Sequence, residues 1–356
     1  MTYEEFIQEW NNSLPTIQVH TSGSTGTPKQ MHADKQKMLA SARITCDYLG
    51  LRKGDTALLC MSLDYIAGKM MAVRAIERGL QLIQVPPSGH PLADVAEPID
   101  FAAMVPLQVF NSLQVPEERA KLRQIRHLII GGGAIDDALA AELREFPNAV
   151  WSTYGMTETL SHIALRRLNG PEATDFYTPF DTVSVSINTD GCLVIDAPEV
   201  CDHPLVTNDL AELLPSLEGV GGEFPSFRIL GRRDNTINTG GVKVQIEEVE
   251  RLLRPHLHDP YMITRRKDTK FGEVIVLMIE EKASASDPAE WKNGREKYLS
   301  DILHRCQQVL PPYWAPREIL TVKQLPMTEN GKPNRAEAER ITSLSGKNGG
   351  PSRALS

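Results

Sequence analysis

Twice before residue 153 the sequence sets out a short apolar run, an amphipathic stretch and a second apolar run, a succession that points to a parallel β-sheet covered by helices. TALLCM (56–61) and QLIQV (81–85) read as buried strands, with helical periodicity from Asp64 to Arg78 between them. HLII (127–130), a helical stretch from Asp136 to Arg144, and AVWS (149–152) repeat the βαβ arrangement. Ligands of such sheets sit beyond the carboxyl ends of the strands, where the glycine-rich turns of this sequence also fall.

From 182 to 214 the texture changes to short alternating segments, VSVSIN, CLVID and LAELL, broken at Asp190-Gly191. Antiparallel strands in a smaller β-rich subdomain are expected there. Beyond Gly231 come a helix over 245–253, a strand over 273–279, a helix over 291–308 and a Pro-rich bend at 310–316. The expected fold class is thus α/β: a large N-terminal domain (1–233) with a mostly parallel sheet plus the small β-rich subdomain, then a small mobile α+β C-terminal domain (234–344). The tail 345–356, rich in Gly and Ser, is expected to be disordered.

A formal net charge of -8 and the absence of any long Lys/Arg run argue against a nucleic-acid partner. Five scattered cysteines without CxxC spacing suggest neither a disulfide framework nor a zinc site, which fits a reducing, cytoplasmic setting. Cys201-Asp-His203 lacks the further ligand spacing that a metal site needs. The acidic N-terminus is no signal peptide, and the most apolar stretch, 56–73, is interrupted by Asp64 and Lys69, so no membrane insertion is expected.

HTSGSTGTPKQ (20–30) carries most of the chemistry. Glycines let a backbone approach a ligand, hydroxyls and N–H groups donate to phosphate oxygens, and Lys29 adds a positive charge. The order Gly23-x-x-Gly26-x-x-Lys29, with Pro28 before the lysine, does not match the P-loop GxxxxGK[ST]. On composition alone the stretch also reads as a polar connector. Gly131-Gly132-Gly133-Ala134 after HLII is not a dinucleotide GxGxxG, because position 136 is Asp. Thr157-Glu158 reads equally as a helix N-terminal turn or as site residues.

The string TSGSTGTPK resembles the signature of the acyl-adenylate-forming enzymes, also called AMP-binding enzymes, and further motifs follow in that family's order. YGMTET (154–159) is similar to YGxTE, and Thr207-Asn208-Asp209 to TGD. GRRDN (231–235) with Gly240-Gly241 and EEVE (247–250) resembles GRxD...G...EVE, and PMTENGKPNR (326–335) resembles PxTxxGKxxR. The matches run from Thr21 to Arg335.

The resemblance implies a two-step reaction: a carboxylate attacks the α-phosphate of ATP, releasing pyrophosphate, and the thiol of coenzyme A then attacks the acyl-adenylate. It also implies roles. Thr21, Ser22, Gly23, Ser24, Thr25, Gly26, Thr27 and Lys29 would hold the ATP phosphates. Glu158 would ligate Mg²⁺, and Thr157 would donate to the α-phosphate. Gly131, Gly132, Gly133, Ala134 and Tyr154 would surround the adenine, while Asp209 and Arg232 would reach the ribose or phosphate. Asp234 would be the hinge, Lys332 the lysine bridging substrate carboxylate and phosphorus, and Lys243 with Gly240 and Gly241 would serve the coenzyme A step. Gln108, in FAAMVPLQ (101–108), and Ser161-His162 are positional candidates for the acyl pocket.

Two departures narrow the resemblance. Relatives carry a whole further subdomain ahead of the phosphate loop, where this sequence has 20 residues, so a truncated N-terminal domain is expected. The Asp-Asn and double glycine of GRRDNTINTGGVKV look like the o-succinylbenzoate-CoA ligases of menaquinone biosynthesis. The expected function is therefore a carboxylate-CoA ligase using ATP, Mg²⁺ and coenzyme A, with o-succinylbenzoate as acid. Another acyl- or aryl-CoA synthetase, or a non-catalytic nucleotide-binding module, are the alternatives. Relatives occur as monomers and as homodimers.

Overall fold

The computed structural model describes residues 1–20, 30–214, 225–281, 288–328 and 333–345. They divide into two compact units, the first taking in 1–20, 30–207, 211–214 and 225–228, the second 208–210 and the described residues from 229 onward. The expected phosphate loop 21–29, Lys332 and the tail from 346 lie outside the described residues.

The first unit opens with helix α1 (Tyr3–Trp10), set by a capping box in which the Thr2 hydroxyl accepts from Glu5 N–H and the Glu5 carboxylate from Thr2 N–H. β1 (Thr16–His20) and β2 (Gln30–Asp34) form an antiparallel hairpin whose last rung, His20 to Gln30, closes the base of the 21–29 segment. Asp34 then caps α2 (Lys35–Tyr48) by accepting from the N–H groups of Gln36 and Lys37.

β3 (Thr56–Leu59), α3 (Ile66–Arg78) and β4 (Gln81–Gln84) form the first βαβ unit, with parallel pairing as expected. β5 (Phe101–Met104), α4 (Pro106–Gln114), α5 (Pro116–Gln124), β6 (His127–Ile130), α6 (Asp137–Arg144) and β7 (Ala149–Gly155) continue the sheet. β8 (His162–Arg167) and β9 (Thr178–Pro179) add antiparallel strands, giving the order β4-β3-β5-β6-β7-β8-β9 among the described residues. Leu58, Ala102, Met104, Leu128, Ile130 and Val150 bring the parallel strands into one apolar core. β7 runs on to Gly155, beyond the Ser152 end read from the sequence, because β8 pairs with it there.

β10 (Ser184–Ile187), β11 (Cys192–Asp196), β12 (Leu205–Leu214) and β13 (Ser226–Arg232) form a second sheet in that order, with β10 and β11 antiparallel around the Asp190-Gly191 turn. Asn208 and Asp209, in the segment that resembles TGD, lie inside strand β12.

In the second unit a short 3₁₀ turn (Arg233–Asn235) leads into β14 (Thr236–Thr239), β15 (Val242–Gln245) and α7 (Ile246–Leu253). β16 (Tyr261–Asp268), β17 (Gly272–Glu280), α8 (Pro288–Val309), β18 (Glu318–Val322) and α9 (Arg335–Ser345) complete it. The sheet order is β15-β14-β17-β16, with β18 parallel to β17. Ile246, Val249 and Leu253, at helical spacing on α7, bury against Ile263, Ile275 and Leu277. Among the described residues no helix is long and apolar enough to cross a membrane.

Candidate active site

The carboxyl ends of β6 and β7 carry the candidate residues of the first unit. Gly131, Gly132, Gly133 and Ala134 leave β6 directly, with Gly131 N–H donating to Met104 O at 3.1 Å and Val105 and Pro106 beside Gly132 and Gly133. Tyr154, half-buried on β7, has its ring 5.1 Å from Phe227 and 5.8 Å from Tyr177, which stack on each other. Phe227, fully buried, meets the Tyr154 ring edge-on and fixes its orientation.

After Gly155 the chain turns sharply back to β8, and a register shift at Tyr154/Gly155 sets Gly155 opposite His162. A Cβ on Gly155 would lie 2.3 Å from Ser161 O, so only glycine permits this approach. Thr159, fully buried, ties the turn: its hydroxyl accepts from Met156 N–H at 3.0 Å and lies 2.7 Å from Ser161 O and 3.0 Å from Met156 O. Leu160 adopts a left-handed φ of 64°, and the Cys201 thiol donates to Glu158 O at 3.4 Å. Thr157 and Glu158 therefore sit in a braced turn, and the helix-capping alternative is excluded because no helix starts there.

The Glu158 carboxylate is exposed and bonds to no donor or cation among the described residues. A hard oxygen left open in this way fits Mg²⁺. No group of three or more potential ligands occurs among the described residues, so the phosphates of a bound nucleotide would have to supply most of the coordination.

The group that the sequence reasoning missed is Arg74. It projects from α3 into the interior, 2% exposed, and its Nη2 donates to Ser161 Oγ at 2.6 Å and Thr45 Oγ1 at 3.5 Å. Its Nε has no acceptor, and no carboxylate pairs with it among the described residues. Burial pushes the guanidinium down to about 10, still charged at neutral pH. His162 shares the network, with Nε2 3.1 Å from Thr45 Oγ1 and Nδ1 3.2 Å from Ser161 Oγ. Burial, aided by the Arg74 charge, holds this imidazole well below its ordinary pKa, hence neutral. The same ring lines a narrow, largely apolar pocket with Ile44, Ile163, Phe180, Val183 and Val200.

Gln108 has a different place from the acyl-pocket position expected of it. It is 6% exposed, donating from Nε2 to Cys60 O (3.1 Å) and Ser88 O (2.9 Å) and accepting from Val105 N–H (3.2 Å). Its amide clamps the loops after β3 and β4, and Phe101–Met104 are all buried in the sheet. Within the stretch only Val105, Pro106 and Leu107 reach the surface.

In the second unit Arg232 joins two candidate carboxylates. Its Nε and Nη2 each donate to Asp234 at 2.9 Å, and Nη1 to Asp209 at 3.3 Å. Burial pushes the Asp234 carboxyl up, but the hydrogen bond and charge of Arg232 outweigh it and hold the group below the usual carboxylate range. Asn208 accepts from Arg233 at 3.4 Å. Gly240 and Gly241, at φ 59° and 84°, are the two-residue turn between β14 and β15, the geometry of a type I′ hairpin. Lys243 is exposed on β15 opposite Asn238. The double glycine thus suits the hairpin, which needs left-handed backbone at both positions.

An AMP-binding enzyme model matches residues 8–199, more than half of the chain. The chain belongs to the AMP-binding enzyme family. An acyl-CoA synthetase (AMP-forming)/AMP-acid ligase II-like protein from Dyadobacter fermentans is 30% identical, with a TM-score of 0.60 over 95% of this chain and 92% of that one. A 2-succinylbenzoate-CoA ligase of Bacillus cereus is 24% identical over 364 residues, 95% of this chain and 73% of that protein. The Bacillus subtilis o-succinylbenzoate-CoA synthetase, solved with its acyl-adenylate intermediate OSB-AMP, shares the fold at 22% identity and a TM-score of 0.70, covering 90% of this chain and 68% of that one. Its complex with ATP and magnesium ion matches with a TM-score of 0.67.

Within this family the braced Thr157-Glu158 turn and the glycine-rich exit of β6 occupy the sheet end where ligands of open α/β sheets bind. Arg74 left no trace in the motifs because it lies between them.

Proposed function

We propose that this enzyme is an ATP-dependent carboxylate-CoA ligase and that its acid is an aromatic dicarboxylate, o-succinylbenzoate. The observation that carries the acid is Arg74: a buried cation without a buried anion is costly, and a carboxylate on the substrate offsets that cost. His162 links the two needs of such an acid, an apolar wall through Phe180, whose ring lies 5.6 Å away, and an anion-favouring end through Ser161 and Arg74. The names of the relatives support the same acid.

In the first step the reacting carboxylate attacks the α-phosphorus of ATP and the bond to the pyrophosphate oxygen breaks. Thr21–Lys29 hold the departing phosphates, Thr157 donates to the α-phosphate, and Lys332 bridges the carboxylate and phosphorus. Glu158 would hold the Mg²⁺ carried with ATP, which when bound would supply charge neutralisation at the phosphates. Tyr154 and Gly131 to Ala134 receive the adenine, and Asp209 the ribose hydroxyls. In the second step the coenzyme A sulfur attacks the acyl carbon and AMP leaves, with Asp234 as hinge and Lys243 serving this step.

The test is pyrophosphate release and CoA-thioester formation over a panel of acids with ATP, Mg²⁺ and coenzyme A. Turnover fastest on o-succinylbenzoate and slower on its analogue lacking the non-reacting carboxylate is expected. Turnover on acetate or long-chain acids with none on o-succinylbenzoate overturns the acid, and ATP binding without turnover on any acid overturns the ligase.

A further inference from the structure

Three residues beyond Lys332, the first residue of α9 enters a closed ring of bonds with a strand edge. Arg335 donates from Nη1 and Nη2 to the two carboxylate oxygens of Glu250 on α7, at 2.9 and 2.7 Å. Arg335 Nη1 also donates to Ile263 O at 2.8 Å, and Glu250 Oε1 accepts from Ile263 N–H at 2.9 Å. Both main-chain groups of Ile263 are so engaged, on the strand that ends the sheet order. The ion pair takes the place of a neighbouring strand at that rung.

The segment before Arg335 is tied to the same spot. Met327 and Pro333 form an antiparallel bridge, and Asn334 N–H donates to Pro326 O at 2.9 Å. Asn334 also accepts from Glu337 N–H at 3.1 Å, starting α9. Lys332 is thus the residue that immediately precedes, in sequence, a segment paired at Met327–Pro333 and held at Arg335.

We propose that the Glu250–Arg335 pair is the positioning device for Lys332, setting the adenylation rate without touching nucleotide, acid or coenzyme A. The proposal rests on the reading of Lys332 as the adenylation lysine. A bidentate guanidinium–carboxylate pair fixes both distance and plane, which a monodentate ammonium does not. Because reacting groups must be held to within a fraction of an ångström, loosening this base lowers the rate of the one step that uses Lys332.

The experiment measures both half-reactions separately for Lys332→Ala, Glu250→Gln, Arg335→Lys and the exchanged pair Glu250→Arg with Arg335→Glu. Adenylation is followed by pyrophosphate release with whichever acid of the panel the unaltered enzyme uses fastest, and thioester formation by supplying that acid's adenylate with coenzyme A. For Glu250→Gln and Arg335→Lys we expect adenylation kcat to fall about 10- to 100-fold, with KM for ATP and thioester formation unchanged, and partial recovery in the exchanged pair. Loss of both half-reactions in equal measure, or normal adenylation in Arg335→Lys while Lys332→Ala is inactive, overturns the proposal. Normal adenylation in Lys332→Ala overturns instead the role assigned to that lysine. Should Glu250→Gln fail to fold, Arg335→Lys, which keeps the charge, decides alone.

Discussion

The Nη2 of Arg74 lies 2.6 Å from Ser161 Oγ, and this contact joins a fully buried positive charge to the turn that carries Thr157 and Glu158. A hydroxyl that accepts from a guanidinium becomes a better donor, so Ser161 can pass the influence of the charge toward an anion. Replacing Arg74 by Met removes the charge while keeping much of the stem volume. The expected outcome is an affinity for the dicarboxylate lowered about 10- to 100-fold, on the scale of a charged hydrogen bond, with thermal stability unchanged or raised. Isothermal titration with the acid and a melting curve check both parts.

His162 makes the folded protein sensitive to acid. Its folded-state pKa lies below that of the unfolded chain, so the unfolded state binds the proton more readily as pH falls below the ordinary histidine value near 6.5. Stability is intact above that pH and declines below it, by at most about 1.4 kcal/mol per pH unit for one group. His127 is depressed in the same direction, chiefly by burial, and contributes further slope. Melting temperatures of His162→Gln between pH 7.5 and 5.5, as about two units of buffer range, should fall less steeply than those of the unaltered protein.

Glu158 supplies an open carboxylate and needs no partner to keep the fold. Glu158→Gln should leave the melting temperature unchanged and lower the adenylation rate on the order of 100-fold. Raising Mg²⁺ should restore part of the loss, which a titration of pyrophosphate release against the ion reads directly.

The β14–β15 turn needs left-handed backbone at both glycines. Gly240→Val should destabilise the second unit by about 1–2 kcal/mol, because φ is 59° and the new Cβ would press on Phe271 Cδ1 at 3.4 Å. Asn at 241, which tolerates this region, should be nearly neutral. Neither change should alter the order of preference among acids, and denaturation together with the acid panel checks both statements.

The parts of this fold written in apolar period were legible. The runs at 56–61 and 127–130 became parallel strands, and the stripe Ile246, Val249, Leu253 became the buried face of α7. What the period hid was charge placed inside. Lys69 and Arg74 on α3 are 1% and 2% exposed, yet in a periodic pattern a Lys or Arg marks the outer face. Strand β16, YMITRRKD, went unread for a related reason: its charged half finds partners in Glu273 on the next strand and in Glu318 and Glu339, far away in sequence.

The candidate site shows the same division. Motifs named the residues that meet nucleotide, whose spacing follows loops and turns. They were silent on much of the network that holds those residues, because Thr45 and Cys201 reach it from distant parts of the sequence through contacts set by tertiary packing. The double glycine was legible as a motif, but its place in the β14–β15 turn emerged only from the pairing of the two strands.

The Glu250–Arg335 pair also bears on the open edge of β16. A terminal strand next to the buried residues Val274 to Ile279 of β17 is a natural template for a strand from another molecule. At Ile263 the donor and acceptor that such an intruder would seek are already taken. Two side chains thereby close that rung of the edge to a pairing strand.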